Sequence, residues 1–456
     1  MKNFFKKAFL VLFVISIASC SDDDDTTFIP DVMTITDFVT DNADYSSLLA
    51  ALEKTSLDVT LNGNGDFTVF APNNAAFTEF LNGASLDDVP LETLEQLLRN
   101  HVLATTETST DLTTGYVKNI ATNAGTAINM YINTSNGVVI NGVSTVTTPD
   151  IMTDNGVIHA VDKVIPLPTM LTFVGLDSNL STLATVATTT SGFDTDFAAV
   201  LEGEDSNLTL LAPDNDAFDA LGDISGLSAA ALEQILLNHV IAGTNVSTSL
   251  TTSYDNTLAT YGDTVDNLSI YINTDSGVSF NGISTVSQAD IVASNGVIHK
   301  VDAVVTLPTV VTFAAADATF SSLVSALTRD DQLDENYVAT LSTANGTSPA
   351  PFTVFAPTND AFTSLIAELD GVDSLADIPE ATLTATLNLH VVAEANVREE
   401  NLMSGTVTTL GGDITADAMN LTLTDANDRV SNIIVTNVQA ANGVVHAIDK
   451  VILPAL

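Results

Sequence analysis

Six histidines occur in this 456-residue chain. Three of them, His159, His299 and His446, are each followed three positions later by an aspartate: Asp162, Asp302 and Asp449. A histidine oriented by a carboxylate is the general base of many hydrolases. The spacing argues against that chemistry here. The pairs stand in apparent strands, where residues an odd number apart point to opposite faces, so ring and carboxylate cannot orient one another. No serine or cysteine sits in a nucleophile-elbow context. Metal ligation has little more support. His101, His239 and His390 precede the first set by 56 to 60 residues and could converge on it, but neither a helical i,i+4 pair nor an accompanying cysteine exists. The expectation is a protein that is not an enzyme, binds no metal and needs no cofactor, with histidines fixed by backbone hydrogen bonds.

The histidines fall into a pattern that repeats three times. Asn155-Gly156-Val-Ile-His159, Asn295-Gly296-Val-Ile-His299 and Asn442-Gly443-Val-Val-His446 each close a unit. Upstream of each lies a second box: Phe70-Ala-Pro-Asn-Asn-Ala-Ala-Phe77, Leu211-Ala-Pro-Asp-Asn-Asp-Ala-Phe218 and Phe355-Ala-Pro-Thr-Asn-Asp-Ala-Phe362. A His-Val pair stands between the two boxes. The histidines recur at offsets of 138 and 151 in one set and 140 and 147 in the other. A period near 140 is a whole domain rather than a solenoid repeat, so beads on a string are expected. The first two units are the more alike, with 23 of 39 residues from Met130 to Pro168 recurring at a shift of 140. The third carries an insertion near Asp330 to Pro351.

Within a unit, apolar residues at three- and four-residue spacing predict helices over Ser47–Leu52, Leu180–Val186 and Phe320–Leu327. An alternating strand follows, Phe67–Phe70 or Phe352–Phe355, and the proline of the box ends it. The Asn, Asp and Thr residues after that proline are expected to cap a further helix whose buried face starts at Phe77, Phe218 or Phe362. Leu91–Leu103, Leu232–Ile241 and Leu383–Val392 read as a further helix or helix pair, with the His-Val pair at its C-terminal end, where the helix dipole would favour a cation. Asn-Gly dipeptides then punctuate a meander of short strands. Helices first and strands second indicate an α+β fold.

These boxes, in this order and at these separations, resemble the fasciclin domain over roughly residues 33 to 456. The resemblance implies three tandem modules, each a twisted β-sandwich or wedge with packed helices, and extracellular adhesion through protein or carbohydrate contacts. Family members commonly carry a tyrosine before the central histidine, linked to receptor binding in animals. Here Asn100, Asn238 and Leu389 precede His101, His239 and His390, a departure from the pair that the resemblance links to that receptor, and these six residues are the candidate adhesion surface. Asn155, Gly156, His159, Asn295, Gly296, His299, Asn442, Gly443 and His446 are expected to be structural. Leu211 stands where the box carries phenylalanine, a volume-tolerant core change.

The remaining signals concern location and partners. Lys2, Lys6 and Lys7 precede an apolar run from Ala8 to Ala18, too short for the ~20 residues of a membrane span. The run ends in Ile17-Ala18-Ser19-Cys20, which resembles the bacterial lipobox. Cys20 is the only cysteine, so it is expected to carry lipid, and no disulfide can form within the chain. Ser21-Asp22-Asp23-Asp24-Asp25 reads as a solvated tether and resembles the export tag of surface lipoproteins, favouring the outer face of the outer membrane over a periplasm-facing anchor. The expected organisation is a signal peptide at 1–19, anchor and tether at 20–32, and modules 1, 2 and 3 at 33–168, 169–308 and 309–456. Loss of the signal leaves nine basic residues against 57 acidic, a surface that repels nucleic acid and anionic headgroups. Membrane contact is therefore expected through the lipid alone. No segment has the pattern of a dedicated calcium loop. Absence of tryptophan and a 6% aromatic content disfavour a stacked-ring sugar platform. An adhesion protein for extracellular protein or polysaccharide is the first reading; a glycan-capture subunit of a surface polysaccharide uptake system is the alternative.

Overall fold

The computed structural model describes residues 33–188, 192–203, 206–224, 226–331 and 336–455. The expected signal peptide, lipidation at Cys20 and acidic tether fall outside them. Module 1 sets the pattern. Its strands are β1 (Phe67–Pro72), β2 (Val102–Leu103), β3 (Gly115–Asn123), β4 (Thr126–Asn133), β5 (Val139–Ile140), β6 (Ser144–Thr153) and β7 (Gly156–Val161). They lie in the order β2-β1-β7-β6-β5-β4-β3. The run from β3 to β7 is an antiparallel meander, and β1, from the helical half, pairs parallel with β7. Modules 2 and 3 repeat this order, and in module 2 pairing of Thr257 with Ile241 closes the sheet into a barrel.

Every residue of β7 is buried, as its near-continuous apolar run demands of a strand covered on both faces. On one face Val69, Ala71 and Ile158 meet Leu48, Leu52, Phe77, Leu94 and Leu98 of the helical layer. On the other, Phe70 and Val161 meet Met130, Ile132 and Ile140 of the meander. The polar cluster after the box proline caps its helix as expected: Asn73, Asp214 and Thr358 accept from the amides of Ala76, Ala217 and Ala361.

Three expectations need correction. The helix predicted over Leu91–Leu103 ends at Arg99, its counterparts end at Leu237 and Asn388, and the valine after each histidine starts a short strand. Val102 pairs with Val69, and a β-branched residue that finds a ladder partner leaves the helix. The meander strands are not all short, since β6 has ten residues and absorbs two register shifts on the way. Nor are the modules beads joined only by a tether. The Asn123 side chain of module 1 donates to the Ala293 carbonyl of module 2 at 3.0 Å, and Tyr131 of module 1 sits in the core of module 2.

Candidate functional site

The six histidines make two repeated constellations. In the first, the helix ending at Arg99 delivers His101 to the module's C-terminal segment. His101 Nδ1 faces the Leu97 carbonyl at 2.8 Å and Nε2 accepts from the Ile165 amide at 2.8 Å. His239 repeats this with Ile235 and Val305, and His390 with Thr386 and Ile452. An imidazole that donates at Nδ1 and accepts at Nε2 is neutral. Burial pushes all three pKa values down to about 4, so desolvation outweighs the attraction expected of the helix terminus.

The candidate adhesion surface is therefore not a surface. Asn100, His101, Asn238, His239, Leu389 and His390 are all buried, none more than 4% exposed. Asn100 donates to the carbonyls of Ile165 and Pro166, and Asn238 to those of Val305 and Thr306. Leu389 packs with Phe355 and Ile414 in the core of module 3. The altered residue before the histidine changes an internal seam, and the sequence carried no sign of its depth because polar residues are usually exposed.

In the second constellation, on β7, His159 Nε2 lies 2.9 Å from the Glu107 carbonyl, and Nδ1 accepts from the Asp150 amide at 3.2 Å. His299 meets Asn245 and Asp290 in the same way, and His446 meets Val397 and Asn437. Burial lowers the pKa of His299 and of His446. The aspartates three residues on are turned elsewhere: Asp162, Asp302 and Asp449 accept from the amides of Thr145, Thr285 and Asn432 on the neighbouring strand. A different carboxylate approaches the ring, Asp150 at 4.0 Å from His159 and Asp290 at 4.0 Å from His299. Each sits at a strand bulge with positive φ and is held by a serine, Ser109 or Ser247, through both amide and hydroxyl. Serine, aspartate and histidine thus come together, but the serine bonds the carboxylate and both ring nitrogens face backbone, so no nitrogen is free to take a proton from a nucleophile. Sequence reading missed Asp150 and Asp290 because module 3 has Asn437 at that place. Among the described residues no three His, Cys, Asp or Glu side chains gather as metal ligands would.

The asparagine of each closing box is a clamp. Asn155 Oδ1 accepts from the Ile35 amide at the start of the first helix, and Nδ2 donates to the carbonyls of Leu61 and Gly63. Asn295 joins Met170, Leu201 and Gly203, and Asn442 joins Val310, Leu341 and Thr343. The following glycine admits the partner strand: a Cβ on Gly156, Gly296 or Gly443 would lie 2.0 to 2.2 Å from the carbonyl oxygen of Phe67, Leu208 or Phe352. Concavities differ in character: one of about 210 Å³ in module 3 is apolar, lined by Val310, Phe320, Leu323 and Leu327 among others. A cleft of about 510 Å³ between modules 2 and 3 is lined by Asp255, Asp266, Asn267, Arg398 and Asn437 among others, and Arg398 is already engaged by Asp266 and Glu400.

Human periostin is 28% identical over 433 residues, 92% of this chain and 47% of that protein. The transforming growth factor-β-induced protein ig-h3 of pig is 28% identical over 426 residues, 90% of this chain and 56% of that protein. This chain thus spans about half the length of these two relatives. Protein sll1483 of Synechocystis sp. is 39% identical over 152 residues, 32% of this chain and 74% of the relative. Among solved structures, a FAS1 domain pair from the insect cell adhesion molecule fasciclin I aligns at 17% identity with a TM-score of 0.38, over 58% of this chain and 97% of that one. The fasciclin domain family model matches residues 43–168, 178–308 and 318–454, so the three repeated units are three fasciclin domains and the chain belongs to that family.

Proposed function

We propose that this chain is a lipid-anchored cell-surface adhesion protein that binds extracellular protein or polysaccharide through its three fasciclin domains. The observation that carries the reading is the threefold repetition of a fasciclin domain whose histidines are all spent on backbone contacts. A binding module gains from repetition, because linked weak sites act at high effective concentration and avidity can exceed single-site affinity by ~10² to 10⁴. A catalytic site gains nothing comparable. The strongly acidic surface supports an extracellular protein or neutral glycan as partner over nucleic acid. Anchoring through Cys20 would hold the modules at the outer membrane, facing outward.

The test is retention of cells on protein- and glycan-coated surfaces for a deletion strain complemented with the whole gene or with one or two modules. Retention should rise more than in proportion to module number. Equal retention with and without the gene, or turnover of a glycan by the purified protein, would overturn the reading. A defect in polysaccharide uptake with unchanged retention would transfer the assignment to glycan capture.

A further inference from the structure

The two junctions between modules are built alike. On the trailing side of module 1, Tyr116 of β3 stands opposite Tyr131 of β4; on that of module 2, Tyr254 stands opposite Tyr271. Each first tyrosine reaches into the next module. Tyr116 donates its hydroxyl to Asp177 at 3.1 Å, and its ring meets Phe173 edge-on at 5.3 Å. Tyr254 donates to Asp317 at 3.0 Å and meets Phe313 edge-on at 5.6 Å. A second contact runs beside it: the Val292 amide donates to Asn129 at 2.8 Å, and the Gln439 amide to Ser269 at 3.0 Å. Lys300, almost wholly buried, pairs with Asp177 at the first junction and lies 5.3 Å from the Tyr116 ring centre. Module 3 has Ala447 at that register.

The outer ends have these parts only incompletely: module 1 keeps a phenylalanine, Phe38, at the helix position of Phe173 and Phe313, but not the aspartate. Asn42 caps the turn of module 1 that Asp177 and Asp317 cap in the others. Met152, in the register of Val292 and Gln439, is 56% exposed where they are 0%. At the far end the strand register puts Thr406 opposite Thr415 where the tyrosine pairs stand in modules 1 and 2. A hairpin longer than its counterparts also folds back there on its own C-terminal segment: Asp425 Oδ2 accepts from the Leu453 amide, and Asn427 donates to the Pro454 carbonyl.

We infer that each junction is a two-part head-to-tail lock, tyrosine pair into aspartate and phenylalanine, which fixes the three modules as one stiff rod and is left incomplete at both outer ends. A head-to-tail contact that does not close into a ring propagates without limit unless its ends are blocked, and arrays of repeats meet that need with altered terminal units. The missing aspartate at the leading end, where Asn42 stands, and the missing tyrosine pair with the folded-back hairpin at the trailing end do so here. This goes beyond the adhesion reading, and its test measures geometry alone.

The experiment is electron–electron distance measurement on the full chain carrying Cys20→Ser, with nitroxides on cysteines introduced at exposed sites. Val59 and Val265 report the first junction, Val265 and Met419 the second; all three are at least 70% exposed. One narrow distance is expected for each pair. Tyr254→Ala should broaden the second distribution and leave the first narrow, which also shows that modules 1 and 2 remain folded. Tyr254→Phe keeps the ring and should broaden it less. Broad distributions in the parent chain, or a narrow second distance in Tyr254→Ala, would overturn the lock. Sedimentation of the parent chain should give a monomer at every concentration; a ladder of end-to-end oligomers would overturn the blocking of the ends.

Discussion

Replacing Asn295 by alanine removes three hydrogen bonds at one stroke. Its Oδ1 accepts from the Met170 amide at 2.9 Å, and its Nδ2 donates to the Leu201 and Gly203 carbonyls at 2.8 and 3.1 Å, from a position with no solvent exposure. A net hydrogen bond contributes about 1 kcal/mol, and a buried backbone group left without a partner costs about 1–3 kcal/mol. The three together give a loss of about 3–5 kcal/mol, a large share of the ~5–15 kcal/mol that holds a domain folded. Asn295→Asp sharpens the test. It keeps the acceptor for Met170 but turns a second oxygen toward two carbonyl oxygens, so the folded state should raise that carboxyl pKa. The sign follows: relative to the parent chain at each pH, Asn295→Asp should be nearest to normal below the unfolded value of about 3.9 and worsen as pH rises above it. Calorimetry resolves the module affected, and urea titration followed by circular dichroism gives the free energy. A loss below about 1 kcal/mol for Asn295→Ala, or a deficit for Asn295→Asp that shrinks with rising pH, would refute the clamp.

His101, His239 and His390, with pKa values pushed to about 4 by burial, should make stability fall as pH drops from about 6.5 toward 4, since the unfolded chain takes up the protons first; each contributes on the order of 2–3 kcal/mol. Melts across that range should flatten in a His239→Gln variant, and an unchanged pH slope would count against the assignment. Gly443→Ala would place a Cβ 2.2 Å from the Phe352 carbonyl oxygen, so module 3 should fail to fold or lose more than about 3 kcal/mol; a melt within 1 °C of the parent would contradict the close approach. Cys20 should carry lipid at the mature N-terminus, and an unmodified cysteine in intact-mass spectrometry would remove the anchor.

Much of the fold lay open in the sequence, because the boxes combine turn chemistry and apolar periodicity that leave few alternatives. Asn73, Asp214 and Thr358 could be named as caps from their place after a proline and before a buried phenylalanine, and the structure has them there. The depth of the histidine seam was not legible. One of each ring's two partners is a backbone amide more than 60 residues away, such as the Ile165 amide for His101, and a backbone donor has no signature in the residue it belongs to. Asp150 escaped for a related reason: it reaches His159 only because a bulge in β6 turns the chain through a positive φ.

The junctions show where reading one module at a time fails. Tyr116 and Tyr254 look like ordinary strand aromatics, and Asp177 and Asp317 like ordinary caps, until the next module is placed against them. The contrast that gives them away lies at the ends of the chain, in Asn42 and in the threonine pair Thr406 and Thr415. A stiff rod changes what adhesion by repetition can mean. On a flexible string, the effective concentration of a second site depends on linker length. On a rod it depends on whether the ligand's own spacing matches the fixed distance between modules, so such a protein would favour periodic partners, a polymer or a second array, over isolated ones.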